Sequence, residues 1–167
     1  MQDIFLFSDT VNENIAFAKS DATEDEIRST AKMAQAEDFI ERLEDKYETI
    51  IGERGVGLSG GQKQRLSLAR AMIKDVPIFI LDDVTSAVDM ETEKKIQEEL
   101  KTIKDKKTNF IIAHRISSLK HSDLILVLNE GEVIERGSHE ELLEMKGYYY
   151  RIFETQYGDF SKDKEVV

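Results

Sequence analysis

Leu58-Ser59-Gly60-Gly61-Gln62, followed sixteen residues after Gln62 by Ile78-Phe79-Ile80-Leu81-Asp82-Asp83, decides how this chain is read. The first stretch places a serine and two glycines at the opening of a helix. The N–H groups of a helix's first turn have no intrahelical acceptor and carry partial positive charge, and glycines let that backbone come close to a phosphate. The second stretch is an apolar run of strand length that delivers carboxylates to a sheet edge, where a carboxylate can hold hydrated Mg2+ against the same phosphates. Together they describe half of a nucleoside-triphosphate site. The other half, a G-x-x-x-x-G-K-S/T loop, is missing from the sequence: Gly52 and Gly57 have the glycine spacing, but Leu58-Ser59 follow where Lys-Ser or Lys-Thr is required. By itself the chain is not expected to hold a nucleotide in the usual way.

Outward from this centre, the pattern alternates. The first third reads as a small helical subdomain, with a capping box at Thr23 and Glu26 and inward positions at Ile27, Ala31 and Ala34. A second short helix carries Phe39, Ile40 and Leu43. After Gly60-Gly61 the spacing predicts a helix to about Ile73, with Leu66, Ala69, Met72 and Ile73 inward, which Asp75-Val76-Pro77 breaks. Asp89 precedes a further helix with Ile96, Leu100 and Ile103 inward, and Phe110-Ile111-Ile112 forms the next buried strand. Strands alternating with helices predict an α/β fold with a mainly parallel sheet. Residues 124–128 and 132–136 flank Asn129-Glu130-Gly131 as a hairpin, and Ser138 with Glu141 is a second capping box. The expected division is 1–75, 76–157 and a charged tail, 158–167, that lacks periodicity and is expected to be disordered.

Composition narrows the function. With 23 basic and 34 acidic residues the formal net charge is -11, opposite to the basic footprint of a nucleic-acid binder, so neither DNA nor RNA is expected as a ligand. The absence of cysteine excludes disulfides and thiolate metal sites, and His114, His121 and His139 are too dispersed for a metal cluster. No run of residues approaches the roughly 20 apolar positions of a membrane span.

On these residues the chain resembles the C-terminal part of the ATPase domain of an ABC transporter, specifically an exporter, over almost its whole length. Leu58-Ser59-Gly60-Gly61-Gln62 is similar to the family's signature motif, Ile78-Phe79-Ile80-Leu81-Asp82 to its Walker B strand, Ser86-Ala87-Val88-Asp89 to its D-loop and His114 to its switch histidine. Gln2, with Asp3-Ile4-Phe5-Leu6-Phe7-Ser8, resembles the Q-loop, and Thr49-Ile50-Ile51-Gly52-Glu53-Arg54-Gly55 the loop that meets the transmembrane domain in exporters. The resemblance implies a partial P-loop NTPase fold plus the helical subdomain, at the cytoplasmic face of the cell membrane. It also implies that ATP and Mg2+ are the cofactors, with ATP sandwiched between the P-loop of one ATPase domain and the signature of a second. Ser59, Gly60, Gly61, Gln62 and Asp89 would then contact nucleotide held by that second domain, while Asp82 and Gln2 would serve Mg2+. Asp83, His114 and Gln2 would be the catalytic set, and residues 2–8 and 49–55 would face the transmembrane domain. Because the resemblance begins at the Q-loop, the chain is expected to be the C-terminal portion of a longer protein.

Two departures qualify the resemblance. Efficient members carry Glu directly after the Walker B aspartate; here the residue is Asp83, whose shorter side chain withdraws the carboxylate by roughly 1 Å, a displacement that can cost about a hundredfold in rate. An intact signature beside that aspartate resembles the degenerate-site subunit of a heterodimeric exporter. Met90 stands where many members have proline. Other readings are a non-transporter ABC ATPase and a non-enzymatic regulatory half-domain. A dinucleotide fold is a weaker rival: Gly55-Val56-Gly57-Leu58-Ser59-Gly60 fits G-x-G-x-x-G with Asp82 about 20 residues on, but residues 47–51 make a poor buried strand.

Overall fold

The computed structural model describes residues 4–52, 57–104 and 107–158, which form two compact units, one ending at Ile112 and one starting at Ala113. In the first unit, α1 (Val11–Ala16), α2 (Glu24–Met33), α3 (Glu37–Ile40) and a 3-10 turn (Lys46–Glu48) precede the longer α4 (Gly60–Met72). The capping box foreseen at Thr23 forms, with the Thr23 hydroxyl accepting from the Glu26 N–H and the Glu26 carboxylate accepting from the Thr23 N–H. Ile27 and Ala31 of α2 are buried, and α4, whose Leu66, Leu68 and Ala69 are buried, packs against both α1 and α2. The residues that make α4 an inward-facing helix are the ones its 3.6-residue period marks, with Leu68 added.

β1 (Ile78–Asp82) follows α4 closely, and α5 (Met90–Lys104) carries the chain over to β2 (Thr108–Ile112). The two strands pair in parallel, with Ile78 opposite Thr108 and Asp82 opposite Ile112. A parallel pair cannot be joined by a tight turn, so the helix between them is a topological requirement. Phe79 and Leu81 point into the core with Ile96 and Leu100 of α5. On the other side of the sheet, Ile80 is 69% and Phe110 56% exposed, with Ile78 and Ile112 beside them. These four side chains make an apolar face that is open to solvent on this side of the sheet.

The second unit begins with a 3-10 turn (Ile116–Ser118) and continues as β3 (Ile125–Asn129), β4 (Glu132–Gly137), α6 (His139–Met145) and α7 (Tyr148–Tyr157). β3 and β4 form the expected antiparallel hairpin, whose register shifts between Val127 and Leu128. Glu130 and Gly131 of its turn both have positive φ, 49° and 83°, the mirror-image conformation that matches the twist of the flanking strands. The Ser138–Glu141 capping box opens α6, and Ile116, Ile125, Val127, Leu142 and Tyr149 form the core of this unit. His139 is half-buried: its Nδ1 lies 2.8 Å from the Tyr149 hydroxyl, and its ring packs edge-on against Tyr149 and Phe153. Tyr149 is the packing member of Tyr148-Tyr149-Tyr150, and burial pushes its phenol up to about 12.

Among the described residues no helix is long and apolar enough to cross a membrane.

Candidate nucleotide and coupling site

The start of α4 is shaped by its own sequence. Ser59 is the N-cap, in extended conformation; its hydroxyl accepts from the Gln62 N–H at 3.3 Å, and the Gln62 side-chain oxygen accepts from the Ser59 N–H at 2.8 Å. Serine and glutamine three apart thus form a reciprocal cap. The first intrahelical bond runs from the Lys63 N–H to the Ser59 carbonyl at 3.0 Å, so the N–H groups of Gly60 and Gly61 precede the helical ladder. Ser59 and Gly60 are exposed. Of the three N–H groups expected to meet phosphate, the one on Gln62 is engaged by the cap, which leaves the two glycines as the open donors.

Gly61 is required by close approach. A Cβ there would lie 2.7 Å from the Ala87 carbonyl oxygen, well inside van der Waals contact, and 3.4 Å from Val88 Cγ1. The segment after β1 therefore lies directly against the helix start. Gln64 locks the two together: its amide nitrogen donates to the Asp83 carbonyl at 3.2 Å and the Ser86 hydroxyl at 2.8 Å, and its oxygen accepts from the Ala87 N–H at 2.8 Å. Arg65, one residue on, donates to the Gln35 carbonyl at 2.7 Å and sits over the Phe39 ring, and burial pulls its guanidinium below its ordinary pKa.

Asp82 closes β1 with its side chain on the exposed side of the strand. Asp83 extends the sheet by one bond, its N–H donating to the Ile112 carbonyl at 2.8 Å, and then turns the chain with φ of 51°. Aspartate tolerates this left-handed conformation better than most side chains. The Asp83 carbonyl also accepts from the Ser86 N–H at 3.3 Å and the Ser86 hydroxyl at 3.1 Å, so the turn is closed from several sides. Asp89 caps α5: one carboxylate oxygen accepts from the Thr92 N–H at 3.0 Å and the other from the Thr92 hydroxyl at 2.8 Å, and these bonds hold its carboxyl below the usual range.

The structure thus brings Ser59, Gly60, Gly61 and Gln62 together with the Asp83–Asp89 turn in the first unit. His114 belongs to the second unit, where its side chain is exposed and its backbone is held by Gln156, which donates to the His114 carbonyl at 2.7 Å and accepts from the Ile116 N–H at 2.9 Å. Gln2 lies outside the described residues, as do residues 53–55 and the tail from 159 on.

Residues 9–11, directly after the first of the two segments expected to face a membrane domain, pair with 49–51 of the second. Thr10 and Ile50 form an antiparallel bridge, flanked by bonds from the Val11 N–H to the Thr49 carbonyl at 3.0 Å and from the Ile51 N–H to the Asp9 carbonyl at 2.9 Å. Asn14, fully buried, ties down the strip leading to the bridge: its oxygen accepts from the Phe7 N–H at 2.9 Å, and its nitrogen donates to the carbonyls of Phe7 at 3.0 Å and Thr10 at 3.0 Å, with that of Asp9 at 3.4 Å. Arg70, near the end of α4, donates to the Phe5 carbonyl at 2.8 Å and lies over the Phe7 ring. Phe5, Phe7 and Phe17 form a partly exposed aromatic cluster at this surface. Sequence reasoning missed Asn14, Gln64, Arg70 and Gln156. A polar side chain on the inward face of an otherwise apolar helix is the one local signal available, and it applies to Asn14 alone.

The profile of the ABC transporter family matches residues 1–86, just over half of the chain. The chain is 55% identical over 159 residues to an uncharacterized ABC transporter ATP-binding protein, YknU, of Bacillus subtilis, covering 95% of this chain and 27% of that protein. It is 48% identical over 166 residues to an ATP-dependent lipid A-core flippase of Legionella pneumophila, covering 99% of this chain and 28% of the flippase. Its fold matches a bacterial Atm1-family ABC exporter solved with ATP bound, at a TM-score of 0.89 and 43% identity, over 93% of this chain and 28% of the exporter. The chain therefore spans little more than a quarter of the length of these relatives.

Proposed function

The chain belongs to the ABC transporter family, and from that membership we propose that it is the signature-bearing part of an exporter's ATPase domain, working on ATP at the cytoplasmic face of the membrane. The observation that carries this reading is the packing of the α4 start against the turn after β1, where a Cβ on Gly61 would reach 2.7 Å from the Ala87 carbonyl. That contact sets the N–H groups of the helix start and the turn after the carboxylate strand side by side. The residues fit a nucleotide: the Gly60 and Gly61 N–H groups and the Ser59 hydroxyl offer donors at a helix start, and Asp82 offers a carboxylate for Mg2+ with its water shell. Mg-ATP supplies a phosphoanhydride bond whose hydrolysis drives transport.

Ser59, Gly60 and Gly61 bind and orient the terminal phosphate of ATP held by a second ATPase domain, and Gln62 and Asp89 order the loops on either side. In the chain's own site, Asp82 and Gln2 would serve Mg2+, which would neutralise phosphate charge, and Asp83 would take a proton from water. His114 orients the phosphate. The short side chain of Asp83 supports a subunit whose own site turns over slowly beside a competent partner, a heterodimer. The functional division at residue 75 separates the signature part from the carboxylate strand, and residues 2–8 with 49–55 pass the nucleotide state to the membrane domain. The pairing of residues 9–11 with 49–51, just after the first segment and within the second, supports their acting together.

Two outcomes test this. The 167-residue chain, without a P-loop lysine, is expected to show no micromolar binding of Mg-ATP in calorimetry; micromolar affinity would overturn the half-site reading. In the full-length heterodimer, Asp83→Asn is expected to leave most of the ATP turnover, within about twofold, while Glu→Gln after the partner's Walker B aspartate removes it. Loss of turnover in Asp83→Asn alone would make Asp83 a working base and favour a homodimer.

A further inference from the structure

We propose that Gln64 is a positioning residue for ATP turnover, holding the turn after the carboxylate strand and the start of the signature helix as one rigid body. The proposal rests on the nucleotide reading of Ser59 to Gly61. Neither the signature nor the loop at Ser86-Ala87-Val88-Asp89 includes this side chain, yet its single amide makes three hydrogen bonds across 19 to 23 residues of sequence, to the Asp83 carbonyl, the Ser86 hydroxyl and the Ala87 N–H. All three fall on the turn in which Asp83 adopts φ of 51°. The Asp83 carbonyl, which accepts from Gln64 and twice from Ser86, is the point where the conformation of the carboxylate residue is fixed. Gln64 itself stands one helical turn from Gly60, so a shift of either element is passed to the other without an intervening loop.

The consequence is a link between two ATP sites. Asp83 belongs to the site of this chain, whereas Ser59 to Gly61 serve the nucleotide of the second domain. Gln64 joins them through one planar group whose donor and acceptor are both used. An amide suits this place because a carboxylate can accept from Ala87 but cannot donate to the Asp83 carbonyl, and an apolar side chain of like size can do neither.

The test uses the full-length transporter with Mg-ATP. Gln64→Leu is expected to lower kcat at least about tenfold while KM for ATP stays within about twofold, because the alignment matters in the transition state more than in binding. Gln64→Glu, which keeps one of the three bonds, is expected to fall between Gln64→Leu and the parent, with unchanged thermal unfolding. If Gln64→Leu does not fold, Gln64→Glu with the same readout decides. A kcat within twofold of the parent in the folded variants, or a raised KM at constant kcat, overturns the proposal. Ser59→Arg run alongside separates the two readings: turnover intact in Ser59→Arg removes the nucleotide assignment itself, whereas turnover lost there but kept in Gln64→Leu removes only the link.

Discussion

Ser59→Arg in the full-length transporter is expected to lower ATP turnover about a hundredfold while nucleotide binding to the subunit's own P-loop persists. Ser59 is an exposed N-cap beside Gly60 and Gly61, whose N–H groups precede the helical ladder. An arginine side chain there covers those donors with several carbons and removes the hydroxyl that accepts from the Gln62 N–H. The loss of the cap costs only about 1 kcal/mol of helix stability. Leu66, Leu68 and Ala69 anchor α4 in the core and remain in place, so the domain stays folded. What is lost is the close phosphate contact, and removal of one well-placed donor set at a developing charge is worth about a hundredfold or more in rate. Phosphate release from reconstituted transporter, measured beside equilibrium binding of a fluorescent ATP analogue, checks both halves. Unchanged turnover would refute the role in the sandwich.

Asn14→Leu is expected to cost about 1–3 kcal/mol of stability, the second large effect. Asn14 is fully buried, and its amide satisfies the Phe7 N–H and the carbonyls of Phe7 and Thr10. Leucine fills the volume but leaves the Phe7 N–H without its acceptor, at about 1–3 kcal/mol for a donor that water cannot reach, while the Phe7 and Thr10 carbonyls keep only the backbone N–H groups of Asp9 and Asn14. The strip from Phe5 to Thr10 then loses its hold on α1, while α4, β1 and the signature cap keep their own bonds. Scanning calorimetry of the purified transporter should show the transition of this domain lowered by on the order of 10 °C. The variant should also lose stimulation of ATP turnover by transported compounds, since the strip leads into the bridge between Thr10 and Ile50. An unshifted transition would mean that the strip is held by something other than Asn14.

Much of this protein is legible without coordinates because it depends on neighbours in sequence. The capping boxes at Thr23 and Ser138, the start of α4 at Gly60, the apolar strand ending at Asp82 and the hairpin over Glu130 and Gly131 each rest on residues within four positions of one another. Helical period, reciprocal caps and turn conformations are local physics, so they survive reading as text. The signature and carboxylate strand belong to the same class, and with them the family.

Tertiary structure alone decided what joins these pieces. Gln64 reaches the Asp83–Ala87 turn, Arg70 reaches the Phe5 carbonyl 65 residues away, Gln156 holds the backbone at His114 and Ile116, and His139 finds the Tyr149 hydroxyl. Nothing in the spacing of a glutamine or an arginine says where its donors will end, because that is fixed by which backbone groups the packing of α4, β1 and the helices around them leaves without partners. Gly61 shows both halves at once: its place in the motif is readable, whereas the reason no side chain fits there, an Ala87 carbonyl 2.7 Å from where the Cβ would stand, exists only when the chain has folded.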